Sequence, residues 1–266
     1  MSQPGAQIVS AARTLRALVG AALLLCLISV LVNVAFRAAG SNPDQYSRHF
    51  FDVDSEQNLP TWFSVIELAL AASLAFVIAV KPRSEHAVRH RRRWLLLAAI
   101  LALMSLDELA SVHENTSSYV REVIPVGDAI PYAWVIPALV LVACVGIVYI
   151  RFVLTLAPRV RRLLLLAAFI YVAAAAGLDL VDGAVNGDTT RPLAAAKIAV
   201  TTSQEAGEML GVAVAIYGLL LMADPDPARA GRERVTAGSA LALASGGVPE
   251  RSFRASGDRA FEVRRR

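Results

Sequence analysis

WLLLAAILALMSLDELASVHENTSS (94–118) decides how this chain is read. Its first part, WLLLAAILALM (94–104), is apolar enough for the middle of a bilayer. Asp107, Glu108, His113 and Glu114 then follow within ten residues. An ionised side chain at the centre of a membrane costs about 2.5–3.5 kcal/mol on insertion scales. A span that ends in three carboxylates and an imidazole therefore needs compensation from elsewhere in the chain.

The composition says that membrane is the right frame. Of the 266 residues 56% are hydrophobic, and the mean hydropathy is +0.54. Charged residues make up 18%, below the roughly 25% of soluble domains. A transmembrane helix needs about 20 mostly apolar residues. Six stretches qualify, at 16–36, 60–80, 94–114, 131–151, 163–185 and 196–222. The first follows Arg13 and Arg16 as a signal peptide would. Its apolar run exceeds the roughly 7–15 residues of a signal core, so it reads as a retained span. The fold class is all-α: a polytopic membrane protein built as a six-helix bundle. Residues 1–15 form an arm, 16–222 the transmembrane domain and 223–266 a tail. The tail is rich in Ala, Gly, Arg, Ser and Pro without a sustained apolar period, a composition that predicts disorder.

Charge sets the orientation. Of the 26 Lys and Arg, all but Arg37, Arg48, Arg121, Arg191 and Lys197 fall in the arm or at its border with the first span (Arg16), in the 81–93 and 151–162 loops, or in the tail. By the positive-inside rule these segments, and both termini, are cytoplasmic. The pI near 9.4 then reflects topology and attraction to anionic lipid heads, and no nucleic-acid partner is implied. RHRRR (89–93) is simplest as an anchor between two spans. Cys26 and Cys144 each sit inside a span and read as small packing residues. Residues 37–59 are expected to be an external loop, acidic at Asp44, Asp52, Asp54 and Glu56, leading into Pro60 at a helix start and Trp62 in the interfacial belt.

Within the spans the charges are acidic. Glu67 lies in the second, Asp107, Glu108 and Glu114 in the third, Asp179 and Asp182 in the fifth, and Glu205 and Glu208 in the sixth. Basic residues are absent from those interiors; Lys197 is at an edge. Counted along alternating spans at about 1.5 Å per residue, most of the acids share the extracytoplasmic half. That common depth predicts one site. Such acids must be protonated, line a wet cavity, or bind cations.

Helical spacing groups them further. Asp179–Asp182 and Glu205–Glu208 are i, i+3 pairs. In a continuous third helix Asp107 and Glu114 share a face, with Glu108 and His113 on opposite flanks. Paired carboxylates on facing helices resemble in part the di-iron and di-manganese carboxylate bundles. The chain holds no Glu-x-x-His pair, so an oxygen-rich set would favour Mn, Fe, Mg or Ca over zinc.

The expected metal ligands are thus Glu67, Asp107, Glu108, Glu114, Asp179, Asp182, Glu205 and Glu208. His113 or Glu114, nearest the surface, is the expected general base. The leading reading is a membrane-embedded metalloenzyme, its divalent metal ion activating water or oxygen toward a lipid or a periplasmic small molecule. The alternatives are a proton- or cation-coupled transporter and a non-catalytic membrane subunit or sensor. The expected location is the cell membrane, among membrane lipids, with the acidic site toward the extracytoplasmic side.

Overall fold

A computed structural model describes residues 10–39, 45–123, 133–178, 180–181 and 191–223. Every regular element among them is helical. In order they are α1 (Ala11–Ala39), α2 (Gln45–Phe51), α3 (Leu59–Val80), α4 (Glu85–Arg89), α5 (Arg91–Ala110), α6 (Val112–Val123), α7 (Val135–Leu154) and α8 (Pro158–Val172). A π-helical turn (Ala173–Leu178) continues α8, and α9 (Arg191–Ala223) follows. Among the described residues, five helices are long and apolar enough to cross a membrane: α1, α3, α7, α8 with its π turn, and α9. A sixth span results if α5 and α6 are one broken span. This is an all-helical, multi-pass membrane architecture. Apart from Ala223, the tail expected at 223–266 lies outside the described residues.

Three of the sequence boundaries move. The third span does not run to residue 114. Ser111 adopts left-handed backbone (φ 50°, ψ 40°) and stops α5, its N–H still bonded to the Asp107 carbonyl. The chain then bends by 98°. This overturns the shared face of Asp107 and Glu114, which needed an unbroken helix. Serine gives little warning of such a stop, because left-handed caps favour glycine. On α6, Val112, Tyr119 and Val123 stand exposed at i, i+7 and i+11. That is the pattern of an amphipathic helix lying along a membrane surface.

The second change is in the expected 37–59 loop. Residues 45–51 form α2 instead, and the connection onward is pinned by buried polar groups. Asn58 caps α3, its Oδ1 accepting from the Thr61 N–H at 3.1 Å. Its amide nitrogen donates to the carbonyls of His49 (2.8 Å) and Asp52 (2.6 Å), stitching α2 to α3. Asn58→Ala is expected to cost about 1–2 kcal/mol, read as a lower unfolding midpoint in detergent. Third, the fifth span starts at Pro158 and changes from α to π winding at Ala173.

α9 packs against α8, α1 and α3, and α3 packs along α5. Small residues allow the close approaches. Ala71, Ala72, Ala75 and Ala79 of α3 are buried. A Cβ on Gly207 of α9 would lie 2.6 Å from the Ala174 Cβ, and one on Gly211 would lie 3.0 Å from the Tyr171 Cβ. At the end of the bundle that carries α4, Trp94, Phe152, Ile78 and Ile216 are buried together. Trp94 meets Phe152 edge-on at 5.1 Å, and the Tyr149 hydroxyl donates to the Arg93 carbonyl at 2.9 Å. This packing closes the α4 end with apolar side chains. The described acids singled out from the spans, Glu67, Asp107, Glu108, Glu205 and Glu208, lie toward the opposite end, where α2 and α6 are.

Candidate functional site

Ser64, Glu67, Leu68 and Ala71 follow each other at i, i+3, i+4 and i+7 on α3, so they share the face turned into the bundle. Glu205, Glu208, Met209 and Val212 repeat that spacing on α9. Where the faces meet, a small pocket is lined by Ser64, Glu67 and Leu68 of α3, Glu108 of α5, Tyr171 of α8, and Glu208, Met209 and Val212 of α9. It has room for about one water molecule. Ser105 fixes α5 beside it, donating from Oγ to the Val65 carbonyl at 2.9 Å. The glycine contacts at 207 and 211 bring α8 against α9 and so set Tyr171 beside Glu208.

Glu67 is the most confined of the acids. Its exposure is 0%, and neither carboxylate oxygen has a hydrogen-bond partner among the described residues. A bare carboxylate with no donor in such surroundings costs several kcal/mol. The pocket therefore calls for a proton or another cation. Gln204 donates to Glu208 Oε1 at 3.4 Å. Glu205 lies within electrostatic reach of Glu208 and Glu108, and also of Glu56 and Asp54 in the α2–α3 connection. Glu205 thus stands in the electrostatic neighbourhood of both the pocket acids and the acids of the α2–α3 connection.

Adjacent residues on α5 divide their work. Glu108 faces the pocket, whereas Asp107 turns to α6. Asp107 Oδ2 meets His113 Nδ1 at 2.9 Å, and Asp107 Oδ1 accepts the His113 backbone N–H at 3.0 Å. Trp134 stands edge-on to the imidazole at 4.9 Å. The pair is reachable by water, with side-chain exposures of 25% for His113 and 40% for Asp107. The bend at Ser111 makes this contact, because it folds His113 back over the last turn of α5.

Of the acids expected to form one site, Glu67, Glu108 and Glu208 line the pocket, Glu205 lies beside it, and Asp107 is engaged with His113. Asp179, Asp182 and the side chain of Glu114 lie outside the described residues. Among the described residues, no three His, Cys, Asp or Glu side chains form a group able to hold a metal ion. The divalent-metal expectation finds no support there. Cys26 is buried against Ala22, Val53 and Met209, and Cys144 is exposed; both are free thiols.

Sequence reasoning passed over Tyr171, the glycine pair and a polar knot at the α2 end. In the knot, Asp52 Oδ1 accepts from Asn33 Nδ2 at 2.9 Å and from Ser29 Oγ at 3.4 Å. Asn33 Oδ1 accepts from Arg48 Nε at 3.0 Å, and Arg48 Nη2 pairs with Asp52 Oδ2 at 3.4 Å. Two signals were available. Gly207 and Gly211 form a G-x-x-x-G within an apolar helix, and Ser29 and Asn33 are an i, i+4 polar pair in an otherwise apolar span.

Residues 17–223 match the model of a family described as a domain of unknown function (DUF8692). No curated protein and no solved structure matches the chain.

Proposed function

We propose that this chain, which belongs to the DUF8692 family, is a multi-pass membrane protein that works by loading protons into a buried carboxylate pocket, as the coupling site of a proton-coupled membrane carrier. One observation carries the reading: Glu67 is fully buried with both oxygens unpartnered, facing Glu108 and Glu208 across a space for about one water. Acid chains of this kind are typical of proton relays in membranes. A proton suits that space better than a divalent ion, which needs several oxygen ligands at short, regular distances. Glu67 is the terminal acceptor, and Glu205, Glu208 and Glu108 hand the proton inward. The charge pattern makes the α2 end extracytoplasmic and both termini cytoplasmic. On this reading the apolar packing at the α4 end is the barrier that must open for release to the other side.

Direct proton counting tests the proposal. Titrating the purified protein in unbuffered detergent is expected to reveal at least one carboxyl proton still bound at neutral pH and missing in Glu67→Gln. Superimposable titration curves for the two proteins would remove the reading. Stoichiometric divalent metal in the wild type, absent from Glu67→Gln, would replace the proton with a metal ion and return the metalloenzyme to first place.

A second reading has its own observation. An imidazole held through Nδ1 by a carboxylate leaves Nε2 as an oriented base, the arrangement of Asp–His pairs in hydrolytic enzymes. The Asp107–His113 contact supports acid–base chemistry on a lipid or small molecule at the α2 end.

A further inference from the structure

Of the five basic residues on the side of the chain poor in positive charge, three meet at one cleft. Arg37 of α1, Arg48 of α2 and Lys197 of α9 line it, with Thr201 and Thr202 of α9. Two carboxylates share the cleft, Asp52 and Asp54, so cations outnumber anions there. Asp52 is 5% exposed and largely committed inward to Asn33 and Ser29. Asp54 pairs with Lys197 at 3.4 Å. Arg48 is held by Asn33 and Asp52. No carboxylate pairs with Arg37 among the described residues. Among the described residues the cleft is therefore a cationic seat with one charge unmatched.

The surface below it indicates the occupant. Leu23, Leu27, Leu31 and Val34 of α1 are all more than half exposed, and their spacing puts them on the same face as Arg37. An apolar stripe as long as half a bilayer thus runs up one helix and ends at the cleft. An acyl chain fits the stripe and an anionic headgroup fits the cations. The guanidinium groups favour phosphate, which they can bind through paired hydrogen bonds.

We propose that this cleft is a specific site for the phosphate of a membrane phospholipid, seated on Arg37, Arg48 and Lys197 with an acyl chain along α1. The site stands independently of the proton pocket, although Lys197, Thr201, Glu205 and Glu208 succeed one another along α9 and would relay occupancy toward it.

Thermal unfolding of the full chain in a neutral maltoside detergent tests the site. Short-chain phosphatidylglycerol and inorganic phosphate are titrated separately, against wild type, Arg37→Gln and Lys197→Met. Arg37→Gln is the safer variant, because that side chain is exposed and outside the polar knot. The expected result is a saturable stabilisation by phosphatidylglycerol that needs about tenfold more lipid in Arg37→Gln, with no shift from inorganic phosphate. Equal saturable shifts from both probes, lost in Arg37→Gln, would replace the lipid with a soluble phosphate compound. No shift with either probe, or the same midpoint concentration in wild type and Arg37→Gln, would overturn the site.

Discussion

Gly211→Leu is expected to unfold the α8–α9 side of the bundle, lowering stability by about 3 kcal/mol or more. A Cβ at that position already meets the Tyr171 Cβ and backbone nitrogen at 3.0 Å and the Ala167 carbonyl oxygen at 3.1 Å. Backbone atoms cannot rotate aside as a side-chain tip can, so the helices must separate. Separation moves Tyr171 from Glu208 and opens the pocket. Gly211→Ala should show a smaller loss of the same sign, about 1–2 kcal/mol. Gly146→Leu supplies the control, because nothing lies within 4 Å of a Cβ there. Unfolding midpoints of the three variants in one detergent check the ordering. Equal midpoints for Gly211→Leu and Gly146→Leu would mean that α8 and α9 do not meet at this contact.

Glu67→Leu is expected to act in the opposite direction on stability and to destroy function. The carboxyl is 0% exposed, has no hydrogen-bond partner among the described residues, and packs beside Leu68 and Met209. Removing an unpartnered buried polar group recovers its desolvation penalty, about 1–3 kcal/mol. The variant should therefore melt higher than wild type while binding no proton at the pocket. An acid retained against its own stability cost fits a working group better than a structural one. If Glu67→Leu were destabilised by a similar amount, Glu67 would be a structural hydrogen-bonding residue. The stability and proton measurements together separate the two cases.

The membrane class and the approximate helix positions were legible in the sequence, because long apolar runs leave few alternatives. Of the eight acids expected to share one site, Glu67, Glu108 and Glu208 line one pocket; rise per residue gives a depth along each span only once the spans are taken to alternate. Rotation about the helix axis was less legible. On α5 it depended on where the helix stopped, and Ser111 carries no glycine signal for a left-handed end. A stop at 110 rather than 114 turned His113 from a flanking residue into the partner of Asp107. The polar knot escaped for a different reason. Ser29 and Asn33 are uncharged, and their partner Asp52 lies in a segment whose composition suits a loop. The i, i+4 spacing of Ser29 and Asn33 marks a polar face, but nothing in the sequence pairs that face with Asp52.

If Glu67 takes up protons as proposed, its depth has an electrical consequence. It lies eight residues into α3, about 12 Å from the helix start at 1.5 Å per residue, and a hydrocarbon core is about 30 Å thick. A proton arriving from the α2 end would cross roughly two-fifths of the transmembrane field. With about 2.3 kcal/mol per elementary charge per 100 mV across the whole membrane, its occupancy would shift by about 0.9 kcal/mol for each 100 mV. The same carboxyl would then read membrane voltage as well as acidity: an inside-negative potential would help fill it and depolarisation would help empty it.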